Sequence, residues 1–260
     1  MVVCGVPKNF QPMKSTDPKP LKFPWALLIF GGGALLFLFM ERIALPFLAE
    51  RGVHKAVLFC VMATPHILFF AGALLGYRLE GNRWNWANFR ARFRYRAIRG
   101  KMWLWMPLIV LADIGLYLAV YKLAFPIVKA VHDAFPPPAI VNEIMGDGAT
   151  FAGFATAGNW GLIFLFLFYF FFNVLGEEFL WRGYLFPRQE RQHGKYTWLI
   201  HGLLWTFFHI FAPYNALMVL PGALFMSYVV QRTQNNTLFL ISHALLNGIP
   251  LIMLVGNILG

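Results

Sequence analysis

The sequence predicts an all-α protein, a polytopic transmembrane helical bundle of about seven spans with an interfacial basic segment. Three observations predict it. The chain is 59% hydrophobic and only 13% charged, where soluble domains run near ~45–50% apolar and ~25% charged. Apolar stretches of roughly 20 residues, the length that crosses a bilayer, recur along it. The basic residues behind its net charge of +11 gather between those stretches. Cationic loops of that kind set topology and touch anionic lipid, so the charge does not argue for nucleic acid.

The elements follow in order. Residues 1–23 are polar and rich in Pro and Lys, which reads as a cytoplasmic tail. The apolar run after them has full span length, so no cleavable signal peptide is expected. Residues 24–125 form an N-terminal three-span membrane region, with spans near 24–46, 54–76 and 102–125. Between the second and third lies 78–101, holding seven arginines and Lys101 interleaved with Trp84, Trp86, Phe89, Phe93 and Tyr95. Beside two spans, that mixture predicts an interfacial segment on anionic lipid. Residues 126–157 contain Pro136-Pro137-Pro138, Gly146, Gly148 and Gly153, and read as an extracytoplasmic linker. Residues 158–260 form a second membrane region, with spans near 158–177, 196–212, 214–231 and 237–256.

Lys and Arg set the orientation. The 78–101 segment, the tail lysines Lys8, Lys14, Lys19 and Lys22, and the later Arg188, Arg191, Lys195 and Arg232 all fall on one side. The expectation is a multi-pass protein of the plasma (inner) membrane with its N-terminus in the cytoplasm. Cys4 and Cys60 show neither metal nor disulfide spacing. No internal repeat stands out, which weighs against an inverted-repeat transporter.

Polar residues inside the apolar runs carry the chemistry. Glu177 and Glu178 end one of the most apolar stretches, and Arg182 follows at i+4 from Glu178. A charge near the bilayer centre costs at least ~2.5–3.5 kcal/mol on insertion scales, so a buried polar site is expected to offset it. On a helix continued through 177–182, Glu178 and Arg182 share a face and pair, while Glu177 points elsewhere. His209 stands at i+4 from Trp205, near the end of the 196–212 span. His243 and Asn247, also i and i+4, present an imidazole and an amide side by side in the last span. Singly, each has a structural reading as an ion pair or interhelical glue. Together they are the inventory for activating water and stabilising an oxyanion. Asn173 lies one turn before Glu177 and is placed to support the site. Asp113 and His66, mid-span, are expected to play structural roles, and His201 is expected at the interface.

Glu177-Glu178-x-x-x-Arg182, then Trp205-x-x-x-His209, then His243-x-x-x-Asn247, resembles the CPBP family of intramembrane proteases. That family includes CAAX prenyl endopeptidases of the Rce1 type and bacterial Abi proteins. The resemblance covers roughly 160–250; residues 1–157 share only hydrophobicity with it. Where the family commonly has Phe four residues before the first His, this chain has Trp205. The resemblance implies hydrolysis of a peptide bond in a membrane-associated protein or peptide. By position, Glu177 activates water with help from His243, His209 and Asn247 polarise the carbonyl and hold the oxyanion, and Glu178 and Arg182 orient the site. The family is described both as metal-dependent and as metal-free. A divalent metal such as Zn, if bound, would take Glu177, His209 and His243, although no His-Glu-x-x-His helix is present. Two other classes stay open on the residues alone: a non-catalytic immunity or scaffold protein on the same bundle, and a proton-coupled transporter using the same Glu and His as relays.

Overall fold

The computed structural model describes residues 18–260. The expectations on Cys4, Lys8 and Lys14 lie outside the described residues. Almost everything is helical. α1 (Phe23–Phe39) runs through a π-helical stretch (Met40–Ala44) into α2 (Leu45–Glu50), giving one apolar run from Phe23 to Glu50. Pro46 has no N–H for the carbonyl of Arg42, and the wider π turns absorb that missing bond. α3 (Lys55–Met62) and α4 (Thr64–Leu79) make the second run, stepped at Ala63 just before Pro65. The basic segment forms α5 (Trp86–Arg92). A 3₁₀ turn (Gly100–Leu104) leads into α6 (Trp105–Leu123).

The 126–157 segment is more ordered than the linker its Pro and Gly content predicts. It holds α7 (Phe125–Ala134), α8 (Ala139–Met145) and a hairpin of β1 (Thr150–Phe151) and β2 (Phe154–Ala155), in the register Thr150 to Ala155 and Phe151 to Phe154. Ile144 and Phe151 are buried against Leu58, Phe59 and Phe166. The short apolar pattern Ile140, Val141, Ile144 is one helical face, and the flanking prolines and glycines mask it in the sequence.

The second membrane region opens with the longest run, Gly161–Phe211. It comprises α9 (Gly161–Glu177), a π-helical stretch (Glu178–Leu185), α10 (Phe186–His193), a 3₁₀ turn (Gly194–Tyr196), α11 (Thr197–Phe208) and a final 3₁₀ turn (His209–Phe211). Gly194, at φ +55°, takes the left-handed conformation that glycine tolerates, and it separates the two spans expected here. α12 (Pro213–Thr233), α13 (Asn236–Asn247) and α14 (Ile249–Leu259) complete the bundle. Among the described residues six runs are long and apolar enough to cross a membrane, the fourth containing both arms of Gly161–Phe211.

The outer faces of these runs carry exposed Leu35, Leu111, Phe164 and Ile252. In a soluble protein such faces would be liabilities; here they fit lipid. The interior holds three clusters. The largest packs Phe30, Phe69, Trp181 and Phe208 behind the polar site described below. The basic segment divides its aromatics between two roles. Trp84 and Trp86 stay exposed, whereas Phe93 and Tyr95 are buried in that largest cluster. Its arginines do more than face lipid: Arg92 pairs with Glu80 at 2.6 Å and Arg94 with Glu190 at 2.5 Å.

Candidate active site

The π-helical stretch is the local feature that builds the site. Pro187 follows it and cannot donate to the carbonyl of Gly183. That carbonyl instead accepts from Arg92 Nη1 at 3.0 Å, and Tyr184 O accepts from Arg92 Nη2 at 3.2 Å. The carbonyl of Arg182 accepts from Asn236 Nδ2 at 3.0 Å. These three carbonyls each find a side-chain donor, as low-dielectric surroundings demand. Trp181, stacked on Phe30 with ring centroids 4.4 Å apart, anchors the stretch in the core.

Glu178 and Arg182 pair across the first turn, as the i,i+4 spacing predicts. Both are buried, Glu178 completely. The same oxygen, Glu178 Oε1, also accepts from His243 Nδ1 at 2.8 Å. A carboxylate has no proton to give, so the imidazole carries its proton on Nδ1 and leaves Nε2 as acceptor. Asn247 Nδ2 fills that place at 2.9 Å and donates its other proton to Asn173 Oδ1 at 2.7 Å. Asn173 Nδ2 then reaches His66 Nε2 at 2.9 Å and Glu177 Oε1 at 3.4 Å. One polar chain therefore runs from Arg182 through Glu178, His243, Asn247 and Asn173 to His66 and Glu177.

Glu177 is buried and lines a cavity of about 490 Å³. His209, His243, Asn247, Arg182 and Asn173 line the same cavity. Glu177 Oε2 has no hydrogen-bond partner among the described residues. His209 starts the 3₁₀ turn after α11, and its Nδ1 donates to Trp205 O at 2.8 Å. A carbonyl only accepts, so the neutral ring turns its lone pair on Nε2 away from the helix.

The structure thus brings Glu177, Arg182, His209, His243 and Asn247 to one cavity, with Glu178 directly behind. The pairing differs from the expected one in a single respect. His243 contacts Glu178, and the imidazole beside Glu177 is His66, 3.6 Å from Oε1. The polar chemistry is also not confined to the second region, because Glu41, His66 and Asp113 line the same cavity. Their signal in the sequence is an isolated polar residue in an apolar run, which does not say what it will face. His201 is not interfacial. It is buried, with Nδ1 2.5 Å from Gln189 Oε1 and its ring between Phe30 and Phe186.

A metal was one expectation for Glu177, His209 and His243. Among the described residues no three His, Cys, Asp or Glu converge as a ligand group. Both ring nitrogens of His243 are engaged by Glu178 and Asn247, so the Nε2 lone pair reaches a cation only after Asn247 Nδ2 leaves it. The donor set in this arrangement does not fit a zinc site.

Fold and site together define an integral multi-pass membrane protein with a cluster of carboxylates, imidazoles and amides buried in its bundle. Residues 159–249, about a third of the chain, match the profile of the family described as type II CAAX prenyl endopeptidase Rce1-like. The match is consistent with a CPBP family intramembrane protease and supports a protease of the CAAX type in general. It spans Glu177 to Asn247 and leaves out Glu41, His66 and Asp113. Searches of the curated proteins and of the solved structures returned no match.

Proposed function

We propose that the cavity hydrolyses a peptide bond of a membrane-associated protein or peptide, with Glu177 as the base that activates water. One observation carries the reading: a buried carboxylate with a free oxygen shares a single cavity with three imidazoles and the amides of Asn173 and Asn247. A proton on water passes to Glu177 Oε2; His209, expected to polarise the carbonyl, instead offers Nε2 as a second acceptor lining the same cavity. The hydroxide adds to the scissile carbonyl carbon, and the C–N bond breaks as Glu177 returns the proton to the leaving amine. Asn247 donates its amide N–H to the oxyanion once substrate displaces the contact with Asn173. Glu178, backed by Arg182, holds His243, and His243 in turn holds Asn247. Positioned bases contribute ~10²–10⁴-fold and an oxyanion donor ~10²–10³-fold. No step is routed through a metal.

The test is cleavage of a farnesylated CAAX reporter peptide by purified protein in liposomes. Glu177→Gln is expected to lower kcat by about 10²–10⁴-fold, with folding preserved. Cleavage by Glu177→Gln at the wild-type rate would remove Glu177 from this role.

A further inference from the structure

We infer that His66 is a positioning residue for Glu177, supplied by the part of the chain outside the family match; the inference rests on Glu177 acting as the base. The ring of His66 is buried and fixed edge-on by Phe37 and Tyr169, at centroid distances of 4.9 and 5.4 Å. That cage aims Nε2 at Asn173 Nδ2, 2.9 Å away, and at Glu177 Oε1, 3.6 Å away. Nε2 accepts one amide proton of Asn173, whose other proton reaches Glu177 Oε1 at 3.4 Å, so His66 ties Oε1 on the bundle side through Asn173, and Oε2 is the oxygen left unpaired. A carboxylate with one oxygen held and one free has a defined rotamer and a defined basic atom.

The backbone is arranged for this contact. A Cβ at Gly176 would come within 2.4 Å of the His66 carbonyl oxygen. Glycine there lets α9 and α4 touch backbone to backbone, which brings the His66 side chain within reach of Glu177 on the next position of α9. Simple packing would need neither a polar atom at Nε2 nor an amide bridging it to the carboxylate. The ring lies among Phe37, Phe69 and Tyr169 with Nδ1 unpartnered, so a buried imidazole is kept there at a cost for the single hydrogen bond that Nε2 makes.

Two measurements test this. In the first, kcat and KM for the farnesylated reporter are compared across His66→Phe, His66→Gln and His66→Asn. Gln places its amide where Nε2 sits; Asn places its amide nearer Nδ1. Phe and Asn are expected to lower kcat at least tenfold with KM within twofold, and Gln to restore most of kcat. Wild-type kcat in the Phe variant, or a loss that Gln does not repair, would overturn the inference. The second is a thermal double-variant cycle of His66→Phe with Glu177→Gln in detergent, which needs no activity. Coupled residues give non-additive shifts in Tm; additive shifts would overturn the contact. If wild-type protein leaves the reporter intact, the hydrolase reading falls, and the cycle still decides whether His66 holds Glu177.

Discussion

Replacing Arg182 by Met removes one half of the most deeply buried ion pair in the structure. Glu178 is 0% exposed and Arg182 2%, so the carboxylate left behind has no access to bulk water. Breaking a buried pair by removing one partner costs about 3–5 kcal/mol, because the remaining charge is stranded. His243 still donates to Glu178 Oε1 at 2.8 Å, which places the expected cost at the lower end. The guanidinium also sits 5.1 Å over the Trp205 ring, and losing that contact adds about 0.5–2 kcal/mol. Chains of this size lose about 2–4 °C of Tm per kcal/mol. The expected fall is therefore on the order of 10 °C, read by tryptophan fluorescence during heating in detergent. Combining Arg182→Met with Glu178→Gln removes the stranded charge and should recover most of the loss. A single variant that melts within about 2 °C of wild type, or a double variant worse than the single, would refute the view that desolvation governs this pair.

Gly176→Ala should destabilise by about 1–3 kcal/mol, because the new methyl meets the His66 backbone and α4 must move off α9. Gly115→Ala is the control: nothing lies within 4 Å of its Cβ, and a helical Gly→Ala change should be neutral or stabilise by up to about 1 kcal/mol. Reporter cleavage should survive dialysis against 1,10-phenanthroline, since His243 has no free ring nitrogen; loss restored by added Zn would show that the ring turns. At the 146–156 turn, Asp147 accepts from the Thr150 backbone N–H at 3.0 Å and its hydroxyl at 3.1 Å, which holds its carboxyl below the ordinary carboxylate range. A depressed carboxyl contributes fully above its unfolded value and loses that contribution as pH falls through its folded one. The protection of the Thr150 amide, relative to its intrinsic exchange rate, should fall only at the acid end, and Asp147→Asn should flatten that response.

How far the site was legible depends on whether its residues are neighbours on one helix. The Glu178–Arg182 pair and the His243–Asn247 pair are i,i+4 contacts, and i,i+4 residues meet whatever the rest of the fold does. The pairing survives even though the turn is π-helical, a feature that Pro187 alone does not announce. The partner of each pair was not legible. Nothing local says that His243 will meet Glu178 instead of Glu177, since the two carboxylates differ only by one step around a helix whose neighbours are unknown. The order within 126–157 was not legible for a related reason: its few apolar residues matter only because Leu58, Phe59 and Phe166 wait to cover them.

The sequence by itself determined that this chain lives in a membrane, where its apolar runs lie, and which second-half polar residues stand inside them. Composition and period are properties of short stretches, and the bilayer acts on short stretches. The tertiary structure alone decided that His66 stands against Glu177, that Glu41 and Asp113 face the same cavity, and that one hydrogen-bonded chain joins both carboxylates. Those contacts join helices more than 60 residues apart in sequence, and their distances are set by helix packing, including a glycine at 176 whose missing side chain lets two backbones touch.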